Sequence, residues 1–315
     1  MAVDVRDSTL MSSIRARLVA QILRVVIRRR DWGPPESMAR RARRLFGTPR
    51  PFRSFGLAGV TVTPTETNHP PGEWIVPQAP TRRIVLYLHG GGYVACSPST
   101  HRPITAALAR LTPARVFASE YRLAPEFPYP AALDDAETAY RWLINSSVSH
   151  HDIALAGDSA GGGLVLALLL RLRDQGLVSP ACAVLFSPAT DLTGSGASVT
   201  DNDGKCAMLR SENIQAFARC YARPEEWREA YVSPLFGRLD GLPPLHIQVG
   251  DTEILLDDAK RVHDKIQSCG GESELVVSAG VFHSWQMLDG FVPEARSSLQ
   301  QAADFIATKV DRLAT

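Results

Sequence analysis

A short apolar strand runs straight into an apolar helix through five small residues. Ile153-Ala154-Leu155-Ala156 is followed by Gly157-Asp158-Ser159-Ala160-Gly161, and the chain then stays largely apolar from about Ala160 to Arg173, closing at Gly176. A G-x-S-x-G turn at a strand-to-helix junction is tight and strained. Its small neighbours let strand and helix approach while the serine hydroxyl projects at the sheet edge. Alone, the pentapeptide would also suit an ordinary glycine-rich turn. Buried elements on both sides select the reading in which Ser159 is a nucleophile, with the positive end of the helix beside it.

The rest of the chain keeps the alternation of strand and helix that makes a mostly parallel sheet flanked by helices. Val60-Thr63 and Trp74-Val76 are short β-prone pieces, and Ile84 to Leu88 is a near-continuous apolar run of the kind buried on both faces. Val116-Phe117-Ala118, Ala183 to Phe186, Leu245 to Val249 and Ser273 to Ser278 read as further strands. Helices are expected from about Ala131 to Leu143, Leu255 to Cys269 and Pro293 to Val310, the second capped by Gly270-Gly271 and the last opened by its proline. From Asp191 to Ala230 the rhythm breaks into a Gly/Ser-rich link and helical material around Ser211 to Tyr221. An excursion of that length between buried strands is usually functional, and here it would lie over the ends of the strands where open α/β sheets bind ligands.

The segment from Arg6 to Arg53 is rich in arginine and poor in acids, around apolar positions Ile14, Leu18, Ile22, Val25 and Val26 at one-sided helical spacing. We expect that stripe to pack over the protein's own core, although a membrane-surface helix or a transit peptide has a similar pattern. Four parts follow: 1–53 as N-terminal helices, 54–190 and 231–315 as the two parts of the α/β core, and 191–230 as an insertion. The longest apolar stretch, Gly163 to Leu170, is far short of a membrane span, so no stable membrane insertion is expected. A net charge of +1 over 315 residues gives no electrostatic case for a nucleic-acid partner. Five scattered cysteines show neither a disulfide framework nor zinc-ligand spacing, and there is no apolar core with a small-residue cleavage site near the N-terminus. No metal and a reducing cytoplasm are the expectations.

His89-Gly90-Gly91-Gly92-Tyr93 directly follows the strand ending at Leu88. Consecutive glycines leave backbone N–H groups unobstructed. With the amide after the serine, that makes Gly91, Gly92 and Ala160 the expected donors to an oxyanion. His89 itself is expected to be structural. A serine nucleophile needs a base, and the base needs a carboxylate to hold its tautomer. On this scaffold the order is serine, acid, histidine. Of the histidines after Ser159, His246 lies inside an apolar strand and His263 in mid-helix. His283 follows the last strand in Gly280-Val281-Phe282-His283-Ser284-Trp285 and is the expected base. The loop after Val249 offers Asp251 and Glu253 as the acid, and spacing does not separate them. Asp257 and Asp258 fall in the first turn of a helix, where compensation of its dipole is explanation enough.

Together these motifs resemble the hormone-sensitive-lipase-like esterases, bacterial family IV of the α/β-hydrolases, from about Arg83 to the C-terminus. His89-Gly90-Gly91-Gly92 is similar to that family's oxyanion motif, and Gly157-Asp158-Ser159-Ala160-Gly161-Gly162 to its nucleophile motif. Tyr121-Arg122-Leu123-Ala124-Pro125-Glu126, with Pro128 and Pro130, resembles its fourth-strand signature, and Ser233-Pro234-Leu235 and Leu242-Pro243-Pro244 also match. Many members carry Asp-Pro-Leu-x-Asp in the acid loop. Laid on Glu253-Ile254-Leu255-Leu256-Asp257, the resemblance points to Glu253 as the acid, as in a subgroup of the family that uses Glu.

The resemblance implies the α/β-hydrolase fold with a helical cap made by the N-terminal helices and the insertion, short-chain acyl esters as substrate, no cofactor, and a homodimer through the last strand and helix. Tyr93, Phe217 and Trp285 are expected to line the pocket. A lactone hydrolase, an amide deacetylase or an acyltransferase would use the same residues, and a non-catalytic ligand-binding protein on this scaffold would lack a histidine at the position of His283.

Overall fold

The structure, a computed structural model, describes residues 12–30, 35–47, 56–146 and 148–313; the rest of the N-terminal segment lies outside the described residues. Eight strands form one sheet: β1 (Val60–Pro64), β2 (Gly72–Pro77), β3 (Ile84–Leu88), β4 (Arg115–Ser119), β5 (Ile153–Asp158), β6 (Cys182–Phe186), β7 (Leu245–Gly250) and β8 (Ser273–Ser278). They lie in the order β1-β2-β4-β3-β5-β6-β7-β8. Strand β2 runs antiparallel to both β1 and β4, and β3 to β8 are parallel.

Alternation along β3 shows why both faces need helices. Ile84, Leu86 and Leu88 enter one core, and Val85 and Tyr87 enter the other. The first core is covered by α4 (Ala131–Asn145), α5 (Ala160–Asp174) and α8 (Leu256–Ser268), through side chains such as Leu133, Tyr140, Leu164, Val262 and Ile266. The second is covered by α3 (Arg102–Leu111) and α9 (Pro293–Arg312), through Ile104, Leu108, Leu299 and Ile306. Helix α3 is absent from the sequence reading. Pro103 gives it the look of a turn, but a proline in the first helical turn lacks only an N–H that has no partner there.

The chain order reverses between β3 and its neighbour β5, since β4 lies on the far side of β3. Loops leaving adjacent strands at such a point diverge to opposite faces and leave a crevice. The glycine loop after β3 and the Ser159 turn after β5 both start there.

Two outlying segments cover this edge. One contains α1 (Ile14–Leu23), the π-helical turn Arg24–Arg28 that continues it, and α2 (Pro35–Phe46). The other is the insertion with α6 (Ser198–Asp201) and α7 (Ser211–Tyr221). The insertion closes on itself at its base, where Leu192 N donates to Ser233 Oγ at 2.9 Å and Leu235 N to Thr190 O at 3.1 Å. Arg43 of α2 donates to the carbonyls of Val94 and Ala124 at 2.7 and 2.9 Å, and α2 packs on α7.

The N-terminal stripe is not where its periodicity placed it. Ile14, Leu18, Ile22, Val25 and Val26 are 46–75% exposed. The opposite side of α1 is the one that packs: Ala16 is buried, and Val19, Ala20 and Leu23 lie on the cluster of Val281, Trp285 and Ala295. This helix carries two apolar strips, and spacing alone cannot tell which one meets the body. Polar anchors decide. Ser13 caps α1 and bonds Glu294 through its backbone N–H and, at 2.9 Å, through its hydroxyl, while Arg24 and Arg28 donate to the carbonyls of Lys205 and Leu209.

Candidate active site

Strand β5 delivers Ser159 onto a backbone with φ +53° and ψ −123°, a left-handed φ that a residue with a Cβ adopts only under constraint. The turn is held from both sides, as Ser159 N donates to Phe186 O at 2.8 Å and Ser159 O accepts from Ala189 N at 3.0 Å. Gly161 explains the motif's spacing. A Cβ there would lie 2.1 Å from Leu88 O and 2.5 Å from His89 O, so α5 reaches β3 only without a side chain.

His283 Nε2 lies 2.9 Å from Ser159 Oγ, and His283 Nδ1 lies 2.6 Å from Glu253 Oε2. His283 and Glu253 are both buried. The other carboxylate oxygen, Oε1, accepts from Ser187 Oγ and from Gly250 N, each at 2.7 Å. Asp251 is placed elsewhere: its Oδ1 accepts from Gly280 N at 2.7 Å at the exposed end of the same loop. Asn202 of the insertion donates its amide to the carbonyls of Asp251 and Glu253 at 3.0 and 2.9 Å, tying that loop down.

His246, His263 and His89 make other contacts. His246 Nδ1 faces Glu274 at 3.2 Å and its Nε2 faces Gln248, and His263 Nδ1 meets Ser273 Oγ at 2.8 Å. His89 is buried, with Nδ1 2.8 Å from Gly90 O and its ring stacked on Tyr121, whose hydroxyl donates to His89 O at 2.6 Å. Burial first, then repulsion from His101, depresses the His89 imidazole to about 3, which keeps it neutral.

Gly91, Gly92 and Ala160 line one cavity with Ser159 and His283. Among the described residues no backbone hydrogen bond uses the amides of these three. Gly91 has φ +118°, and a Cβ on it would lie 2.3 Å from Ala95 O. A three-amide site of this kind matches the needs of a tetrahedral oxyanion.

Beneath that loop lies a carboxylate to which the sequence alone assigns no role. Asp158, fully enclosed, accepts from Tyr87 OH at 2.7 Å, Gly90 N at 2.9 Å and Ser284 Oγ at 3.2 Å, and His101 Nε2 lies 3.2 Å away. Burial would push its acid form up, but attraction to His101 and hydrogen bonds from His101, Tyr87 and Gly90 outweigh it. Asp158 is held well below the usual carboxylate range. One carboxylate thus ties the glycine loop to the loop that carries His283. Its position inside the G-x-S-x-G motif was the available signal.

The cavity has a volume of about 430 Å³, within the range of small-molecule sites. Its walls are mainly apolar and come from both outlying segments, with Ile27, Leu45 and Phe46 from one and Leu209, Ile214 and Phe217 from the other. Tyr93 lies on the wall, stacked on Tyr221 with centroids 3.8 Å apart. Phe217 also lies there, over Gly92, where a Cβ would come within 2.6 Å of its ring. Trp285 does not line the cavity. Ser284 takes a left-handed φ of +54° and sends Trp285 into a 3₁₀ turn pointing away from Ser159, where the indole is fully buried and Nε1 donates to Glu294 O at 3.2 Å. Met287, two residues on, reaches the cavity instead.

Residues 85–287 match the alpha/beta hydrolase fold family. An acetyl-hydrolase of Streptomyces hygroscopicus is 38% identical over 260 residues, 82% of this chain and 87% of its own length. An esterase of Acinetobacter venetianus is 37% identical over 261 residues, 82% of either chain. The crystal structure of an esterase from the bacterial hormone-sensitive lipase family superposes with a TM-score of 0.87 at 33% identity, covering 96% of this chain and all of the other. With an eight-stranded α/β sheet, a serine at its switch point and relatives of this kind, the chain belongs to the hormone-sensitive-lipase-like esterases of the α/β-hydrolase fold and is a carboxylesterase.

Proposed function

We propose that the protein hydrolyses short-chain carboxylic esters by two-step acyl transfer through Ser159, His283 and Glu253. The observation that carries this is the unbroken chain of contacts from Ser159 Oγ to His283 Nε2 at 2.9 Å and from His283 Nδ1 to Glu253 at 2.6 Å, opening on an apolar cavity. Glu253 holds the Nδ1–H tautomer, which leaves Nε2 free to take the proton of Ser159 as its oxygen attacks the ester carbonyl. The amides of Gly91, Gly92 and Ala160 receive the tetrahedral anion. His283 protonates the departing alcohol, and water then repeats the cycle to release the acid.

We read the N-terminal helices and the insertion as a cap, because side chains of both wall the cavity above Ser159. Its modest volume and the acetyl-hydrolase among the relatives support a short acyl group, with Tyr93 and Phe217 as its contacts. Among the described residues no helix is long and apolar enough to cross a membrane. The five unpaired cysteines support a reducing compartment such as the cytoplasm. Among the described residues strand β8 is an edge of the sheet, the surface a homodimer through the last strand and helix would use.

Turnover of p-nitrophenyl acetate and butyrate by the purified protein, with Ser159→Ala alongside, tests the reading. The wild type is expected to turn over and the variant to lose roughly 10⁴-fold or more in kcat. Activity retained by Ser159→Ala would overturn it.

A further inference from the structure

We propose that the outward face of α1 docks the enzyme reversibly on an anionic lipid surface. The face is apolar and unpartnered among the described residues: Ile14, Leu18, Ile22, Val25 and Val26 stand 75, 57, 52, 61 and 46% exposed along one side of the helix and its π-helical continuation. Scattered single exposed aliphatics are ordinary on a protein surface, but five in one stripe are a binding face. Phe291, also largely exposed, lies beside it under the Arg15 guanidinium, 5.7 Å from its carbon.

Charge selects the occupant. Between Ser12 and Arg30 there are six arginines and no acidic residue. Arg15 and Arg17 are exposed along α1, and Arg29 and Arg30 are exposed at its end. An apolar stripe bordered by arginine is the arrangement that settles into the boundary between headgroups and acyl chains, with the guanidinium groups among anionic phosphates. A second copy of the chain paired symmetrically through this face would set each arginine border against another of the same sign.

The helix is also firmly seated. Ser13 is tied to Glu294, and Arg24 and Arg28 to insertion carbonyls, so the apolar stripe is presented on a fixed support. The same segment reaches the site, because Ile27, in the turn that continues α1, is part of the wall of the Ser159 cavity. The docked face is therefore continuous in the chain with one wall of the substrate cavity.

Co-sedimentation of the full chain with phosphatidylcholine vesicles, with and without phosphatidylglycerol, tests the proposal. Binding is expected to require phosphatidylglycerol and to weaken at high salt. It should fall at least about tenfold in Arg17→Gln/Arg29→Gln/Arg30→Gln and by a similar factor in Leu18→Ser/Ile22→Ser/Val25→Ser. Both variants should hydrolyse a water-soluble short ester at the wild-type rate, which shows that they fold. Wild-type protein that stays in solution with the anionic vesicles, or binding that the serine changes leave intact, refutes the proposal. A wild-type dimer that the serine changes dissociate, with no vesicle binding, assigns the face to a second copy instead.

Discussion

Ser187 donates its hydroxyl to Glu253 Oε1 at 2.7 Å from a backbone held at φ +44°, and together with Gly250 N it leaves Oε2 for His283. The carboxylate is therefore oriented by contacts at both oxygens. Ser187→Ala removes one of them without touching the reacting atoms. We expect kcat to fall by roughly tenfold with little change in KM, because a small misplacement of the base is costly in the transition state. Steady-state kinetics with a short p-nitrophenyl ester, beside a thermal melt, measures this, and an unchanged kcat would show that Gly250 suffices.

The two carboxylates of the acid loop should separate sharply. Glu253→Gln leaves the shape of the site but removes the charge that holds the histidine tautomer, and kcat is expected to drop by about 10³–10⁴. Asp251→Asn disturbs only the contact with Gly280 N and should stay within a few-fold of wild type, at a stability cost of about 1 kcal/mol. The reverse ranking would move the acid to Asp251.

Trp285 and Phe217 should also behave differently. Trp285 is fully buried beside α1 and α9, so Trp285→Ala is expected to cost about 3–5 kcal/mol in a urea titration. Phe217→Ala opens the cavity wall over Gly92 and should shift the preference among acyl chain lengths with a smaller loss of stability. Equal stability losses with no change in chain-length preference would contradict this assignment.

Two buried groups give opposed pH dependence. The folded value of His89, about 3, lies below its reference of 6.5. The unfolded chain thus binds the extra proton in that window, and the contribution of His89 is lost as pH falls. Asp258, buried and near Asp191, is raised from 3.8 to about 7 despite hydrogen bonds from the amides of Thr190 and Asp191. Here the folded chain binds the extra proton, and the contribution is lost as pH rises. Each slope approaches about 1.4 kcal/mol per pH unit, and the two cancel between about pH 4 and 6.5. Relative to wild type, His89→Asn should tilt urea stability downward with rising pH across that range, and Asp258→Asn should tilt it upward. Variants that parallel the wild-type curve would show that neither group titrates as stated.

Much of the architecture was legible because local patterns coincide with what the fold needs. The apolar runs at Ile84–Leu88 and Ile153–Ala156 are buried on both faces of a parallel sheet, and apolar runs alone specify that. The Ser159 motif was legible for a related reason, since Gly161 is demanded by carbonyl oxygens only one strand away. Helix α3 escaped because its proline looks like a turn signal until its position in the first helical turn is known. Ser187 and Asn202 escaped entirely. Single polar side chains in a loop and an insertion carry no periodicity, and their partner Glu253 is more than fifty residues away in each case.

By itself, then, the sequence determined the α/β sheet, the strained turn at Ser159, the free amides of the glycine loop, and a short set of histidines and acids from which a relay could be drawn. These are written in short local patterns of apolar residues and glycines, even where, as at Gly161, the contact that demands the glycine comes from a neighbouring strand. Tertiary structure decided between Glu253 and Asp251 for contact with His283, turned Trp285 away from the cavity, and faced the Ile14–Val26 stripe outward. In each case local sequence leaves two alternatives open. Distant partners choose between them: Ser187 for Glu253, the Glu294 carbonyl for Trp285, and the Glu294 carboxylate with the Lys205 and Leu209 carbonyls for α1.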